Sequence, residues 1–151
     1  MADHGVETTV TVTRAVDATP DRVFADWTDA TRLATWWWPQ LAGTSYDVDA
    51  RVGGRYRIHS PVIGATVSGD YDMVDPPRRL GFTWIWQDDG EAAPAADAVV
   101  VTFEPADHGT VVIVQHRSAD HGPDDVTAQG WRDVLARLAE RYDDQSTSAR
   151  S

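Results

Sequence analysis

Apolar and polar residues alternate with a period of two through most of the chain, and helical spacing replaces this pattern in two places. Val10 and Val12 alternate with Thr9, Thr11 and Thr13, the pattern of a strand with one buried face, which puts strand one at about residues 6 to 15. Thr19-Pro20-Asp21 then reads as N-cap, first helical position and first-turn acid. It opens a short helix whose inner face carries Val23, Phe24 and Trp27. Asp29 is placed to cap a second short helix with Leu33, Trp36 and Trp37 on one face. Pro39 restricts the residue before it, so Trp38 is expected to leave helical geometry.

Five alternating runs follow: Tyr46, Val48 and Ala50; Tyr56 and Ile58; Val67, Tyr71 and Met73; Leu80, Phe82, Trp84 and Trp86; Val99, Val101 and Phe103. A sixth carries Val112 and Val114. Turn chemistry separates them at Gly53-Gly54, Pro61 to Gly64, Asp75-Pro76-Pro77, Asp88-Asp89-Gly90 and Asp107-His108-Gly109, so neighbouring runs are expected to pair as hairpins. Residues 90 to 98 form a low-complexity loop. After Gly122-Pro123-Asp124-Asp125 the spacing turns helical, with Trp131, Val134, Leu135, Leu138, Ala139 and Tyr142 on one face. The outer face carries Asp133, Arg137, Glu140 and Arg141, and residues 143 to 151 read as a frayed tail. Gly130 inside this helix implies either close backbone approach or open space. One antiparallel sheet of about seven strands with a long terminal helix is an α+β architecture, with an ordered core at about 6–142 of one domain spanning 1–151.

Composition narrows the chemistry. At 151 residues and 42% hydrophobic content the chain can bury about two thirds of its surface without staples. The absence of Cys excludes a disulfide framework, a thiolate zinc site and a cysteine nucleophile. The net charge of -11 is built from Asp, Glu and Arg with no Lys. It disfavours nucleic acid and anionic membrane surfaces and suggests a neutral or cationic ligand, although Arg57, Arg78 and Arg79 can reverse the sign locally. No apolar run exceeds four residues and no signal peptide precedes strand one, so a cytoplasmic location without membrane insertion is expected. No phosphate loop or Gly-x-Ser-x-Gly elbow is present, and no cofactor is implied. Seven of the aromatic residues are Trp, and this concentration is where function is sought.

The order strand, two short helices, six strands and long helix resembles the helix-grip fold of START-like (SRPBCC) proteins. The run Thr19 to Asp29, Leu33 to Trp36-Trp37-Trp38-Pro39, Val52-Gly53-Gly54-Arg55-Tyr56, Pro76-Pro77-Arg78-Arg79-Leu80, Phe82-Thr83-Trp84, Val101-Thr102-Phe103-Glu104, Gly109-Thr110, His116 and Gly130-Trp131 together resemble one branch. It is the branch homologous to the C-terminal domain of the activator of the ninety-kilodalton heat-shock ATPase. The resemblance implies a hydrophobic cavity between the long helix and the curved sheet. By position that cavity is lined by Tyr56, Tyr71, Phe82, Trp84, Trp86, Phe103, Trp131 and Leu135, with Trp37 near the mouth. The chain departs from the family pattern at Trp38, where Gly is usual, and at Gly81, where a branched residue is usual. The first departure narrows the mouth or offers a stacking surface, and the second frees space beside Phe82.

Three readings follow as expectations. The first is binding of a small hydrophobic, aromatic molecule. The second is a cyclase or dehydratase in which His116, inward by parity with Val112 and Val114, acts with Tyr71 as acid/base partner; a satisfied structural histidine is the plainer account of His116. The third, an interaction module for a chaperone ATPase, rests on fold analogy alone, and a chaperone partner is disfavoured. Three consecutive tryptophans cannot all point inward, so one is expected to be partly exposed and covered by ligand, a second copy of the chain or Arg side chains. His116 and His121 with Asp120 and Asp124 lack fixed ligand geometry, and no metal site is expected.

Overall fold

Seven antiparallel strands form one sheet in the order β1-β7-β6-β5-β4-β3-β2 in the computed structural model, which describes residues 8–92, 95–118 and 125–150. The strands are β1 (Thr8–Val16), β2 (Ser45–Val48), β3 (Arg55–Ser60), β4 (Ala65–Asp75), β5 (Arg79–Asp88), β6 (Asp97–Ala106) and β7 (Gly109–Ser118). Between β1 and β2 lie α1 (Pro20–Thr28) and α2 (Ala30–Leu33), and α3 (Asp125–Arg150) closes the chain. Every expected turn sits between two strands. The alternation Val99, Val101, Phe103 and Val112, Val114, His116 puts each of these side chains on the buried face.

Local chemistry explains the boundaries. Thr19 is extended before Pro20 at the first helical position but makes no side-chain cap bond. Asp29 caps α2 by accepting from the Thr31 and Arg32 amides at 2.8 and 3.4 Å. The second helix is shorter than its spacing predicts: it ends at Leu33, and Trp36 and Trp37 are carried by turn bonds to the Leu33 carbonyl. Trp38 leaves helical geometry before Pro39 as expected, and does so in the left-handed region with φ of 55°. β2 ends at Val48, so Ala50 lies in the following turn. The long helix continues to Arg150 where a frayed tail from residue 143 was expected. A Cβ on Gly130 meets nothing within 4 Å, so open space, not close approach, accounts for that glycine.

Two irregularities shape β4. Its register shifts between Tyr71 and Met73, where Asp72 adds an extra residue. Tyr71 opposes Phe82 on the buried face, but past the bulge Met73 opposes Gly81 and Val74 opposes the buried Leu80. Met73 therefore leaves the inner face that its parity with Tyr71 predicts. A Cβ on Gly81 would meet Asp72 Oδ1 at 2.7 Å and the Met73 Cβ at 3.0 Å. The room made by Gly81 is thus taken on the face away from Phe82, and it does not widen the cavity. At Gly69 a Cβ would lie 1.9 Å from the Thr83 carbonyl oxygen, so only glycine allows β4 to approach β5 there.

A polar knot fastens the helices to one another. Asp26 on α1 is fully buried; its carboxylate accepts from the Tyr142 hydroxyl and pairs with Arg32 and Arg141, each at 3.4 Å. Its backbone carbonyl accepts from Trp36 Nε1 at 3.1 Å. Arg141 also donates to Thr35 Oγ1 at 2.8 Å, so it turns toward α1 and α2 and does not sit with Glu140 on the outer face. Residues 119–124 lie outside the described residues, and with them His121, Asp120 and Asp124. Among the described residues there is no group of three metal-ligating side chains, and no helix is long and apolar enough to cross a membrane.

Candidate functional site

The aromatic residues gather where α1, the turns after α2 and the start of α3 face the sheet. Trp131 stands in the middle, with ring centroids 5.1 Å from Trp84, 5.4 Å from Trp37 and 6.0 Å from Trp27. Trp36 packs on Trp27 at 4.9 Å. On the sheet, Tyr56, Tyr71 and Phe82 form a second cluster with centroids 5.2 to 6.1 Å apart. A cavity is walled by members of both groups: Trp27, Trp37 and Trp84 with Tyr56, Tyr71 and Phe82, completed by Leu33 and Ile58. Its free volume is about 30 Å³, room for roughly one water molecule. The aromatic side chains themselves fill most of the space that the helix-grip architecture implies.

Of the residues expected to line this cavity, Trp37, Tyr56, Tyr71, Phe82 and Trp84 do so. Phe103 is buried elsewhere, under α1 against Phe24 and Trp27 at 5.4 and 6.0 Å. Leu135 is fully buried among helix and sheet residues, and Trp131 backs the wall from behind. Trp86 shares the face of Trp84, but it lies near the end of β5, beyond the shelter of the helices, and is 41% exposed. There it meets Trp38 edge-on at 5.6 Å. Of the three consecutive tryptophans, Trp36 and Trp37 are buried and Trp38 is half-buried, covered by Trp86. The additional wall residues Trp27, Leu33 and Ile58 carried a signal in the sequence, since each lies on the inward face of its helix or strand.

His116 is inward and 1% exposed, and both ring nitrogens are occupied. Nδ1 accepts from Trp131 Nε1 at 3.0 Å and Nε2 lies 2.8 Å from Asp97 Oδ2. An indole N–H can only donate, so Nδ1 carries no proton and Nε2–H points to the carboxylate. The structure does not bring His116 to Tyr71: the imidazole is held between β6 and α3, whereas Tyr71 is in the cavity wall. Asp97, the residue that orients it, carries no signal in the spacing around His116 because it lies on the neighbouring strand. Tyr71 and Tyr56 are held protonated well above the ordinary phenol range, in both cases mainly by burial, with Asp49 adding to the shift at Tyr71 and the Tyr71 and Asp70 charges at Tyr56. The Tyr56 hydroxyl donates to the Thr83 carbonyl at 2.7 Å. The cavity wall is therefore uncharged.

A larger cleft of about 340 Å³ lies at the other end of β5, among Pro20, Pro77, Pro105, Phe103, Glu104 and the exposed Arg78 and Arg79. The two arginines bring positive charge to this cleft beside the Glu104 carboxylate, away from the aromatic cavity.

The curved sheet, the paired short helices and the long terminal helix define a START-like helix-grip domain. The chain belongs to the family described as Activator of Hsp90 ATPase homolog 1-like protein, which matches over residues 17–143. Similar solved structures include protein CV1439 from Chromobacterium violaceum, at 26% identity and TM-score 0.71 over 87% of this chain and 95% of that one. DynU16, a protein of the dynemicin biosynthetic locus, is 25% identical with TM-score 0.72, over 89% of this chain and 47% of that one. Protein Ms6760 from Mycobacterium smegmatis is 21% identical with TM-score 0.74, over 87% and 88%. No protein of curated function matches the sequence.

Proposed function

We propose that the chain binds a small, neutral aromatic molecule in the cavity between the helices and the sheet. The observation that carries this reading is the wall itself, in which six of eight side chains are aromatic and none is charged. Apolar enclosure with a few polar groups is the ordinary form of a small-molecule site. A free volume of about 30 Å³ is smaller than any aromatic ring, so entry displaces wall side chains. Trp37 is the candidate to move, because its indole nitrogen is not hydrogen-bonded and the turn that follows it bends at Trp38. The likeness to a protein from a biosynthetic locus is in keeping with a small-molecule ligand. The acid/base reading finds less support, since His116 is committed to Trp131 and Asp97.

Native mass spectrometry of protein isolated gently from its own host, followed by identification of any released compound, tests this. A stoichiometric adduct with aromatic absorbance, absent in Trp84→Ala, is the expected result. A bare mass, together with no thermal stabilisation by a panel of neutral aromatic compounds, would count against binding.

A further inference from the structure

Among the described residues three buried side-chain nitrogens have no hydrogen-bond partner: Trp27 Nε1, Trp37 Nε1 and Arg141 Nε. The last belongs to a guanidinium whose other nitrogens reach Asp26 and Thr35. The first two differ, because each indole has a single polar atom and nothing receives its proton. Both rings are 4% exposed, and both line the same cavity. The fold is able to satisfy buried indoles where it needs to: Trp36 donates to the Asp26 carbonyl and Trp131 to His116. Buried donors are nearly always paired, and unpaired ones call for a specific account.

Resting on the binding reading above, we infer that the ligand carries a hydrogen-bond acceptor, a carbonyl or ether oxygen on an aromatic framework, which receives the indole protons of Trp27 and Trp37. An indole N–H can only donate. A single water fits the volume, but its two hydrogens would then need acceptors among side chains that are mostly hydrocarbon. A carbonyl oxygen offers two lone pairs and brings no proton of its own. The Tyr56 hydroxyl proton is already given to Thr83, which leaves the two indoles, with the Tyr71 hydroxyl of the same wall, as the donors an acceptor meets. The site therefore discriminates against a hydrocarbon of the same shape, because only the oxygen relieves an unpaired donor.

Acetophenone and ethylbenzene, which differ by a carbonyl in place of a methylene, serve as probes in a titration of ¹⁵N-labelled protein. The indole N–H resonances of Trp27 and Trp37 are expected to move downfield with acetophenone and not with ethylbenzene. The ketone is expected to bind at least about tenfold more tightly, although a purely apolar pocket favours the more hydrophobic ethylbenzene. In Trp37→Phe the ratio of the two dissociation constants falls toward one, and the ratio is insensitive to a general loss of affinity. Equal or weaker binding of the ketone with both N–H resonances unmoved overturns the acceptor inference and leaves the binding reading standing. If neither probe perturbs any pocket resonance, the binding reading falls and the inference with it.

Discussion

Trp36 and Trp131 give their indole protons to acceptors that the fold provides, the Asp26 carbonyl and His116 Nδ1, while Trp27 and Trp37, a few ångströms away, give theirs to none. The first pair belongs to a region in which a buried carboxylate, two arginines, a tyrosine and a histidine interlock α1, α2, α3 and the sheet. The residues of the second pair line the cavity. An unpaired buried donor costs about 1–3 kcal/mol, so the two regions are built to different rules. One supplies its indoles with acceptors of its own. The other keeps an energetic cost that a bound acceptor removes, which is how a site differs from a core of the same composition.

The effect expected to be largest reaches both regions. Tyr56 and Tyr71 beside the cavity and Tyr142 in the interlocked region all titrate above the ordinary phenol range, chiefly through burial, with the Asp26 bond also raising Tyr142. The unfolded chain therefore loses these protons first. The stability they contribute is fully present below about pH 10 and is lost as pH rises through the folded values, by about 1.4 kcal/mol per pH unit for each phenol. Urea unfolding across this range, followed alongside phenolate absorbance, checks it. Ionisation of all the tyrosines before any loss of structure would show that they are not buried as described.

Asp26→Ala comes next. It leaves Arg141 facing a buried space and the Tyr142 hydroxyl without its acceptor. Removing one partner of a buried charged pair costs about 3–5 kcal/mol, and the partial exposure of Arg32 and Arg141 places the expectation at about 3 kcal/mol in equilibrium denaturation. Trp131→Phe then deprives His116 of a donor and is expected to cost about 2 kcal/mol beyond the loss of ring area. The matching Trp37→Phe removes a donor that nothing receives and is expected to cost at least about 1 kcal/mol less than Trp131→Phe. Equal costs would erase the distinction between the two regions.

The sheet was legible because its strands obey parity and its turns use Gly, Pro and Asp, and the family pattern supplied the helix-grip arrangement. Parity fails at one place, Asp72, where a bulge turns Met73 outward toward Gly81; no residue type announces a bulge in advance. The spacing of Leu33, Trp36 and Trp37 fits a helix and a chain of turns equally well, which is why α2 proved shorter. In the site, alternation put Tyr56, Tyr71, Phe82 and Trp84 on the correct face but carried no information about where along a strand the shelter ends. Parity alone therefore groups Trp86 with Trp84. Parity turns His116 inward, yet its partners come from β6 and α3, and a periodicity within one strand cannot show them. Arg141 falls by helical position on the outer face, and only the buried Asp26 explains why it turns in.

The smallest expected change concerns the rim where the two regions meet. Trp38 holds φ of 55°, a conformation that costs a side-chain-bearing residue about 1–2 kcal/mol and glycine almost nothing. Against this stands its edge-on contact with Trp86 at 5.6 Å, worth about 0.5–1.5 kcal/mol beyond the area it buries. The area lost with the half-buried ring, which also meets Trp37 at 6.1 Å, adds to the second side, so Trp38→Gly is expected to lower stability by about 1 kcal/mol in urea. What it also changes is access, since Trp86, already 41% exposed, loses its cover at the end of β5. Association of a neutral aromatic probe, followed by stopped-flow tryptophan fluorescence, is then expected to be faster. A loss above about 2 kcal/mol would instead place Trp38 with the interlocked core, and an unchanged rate would mean that molecules enter by another path.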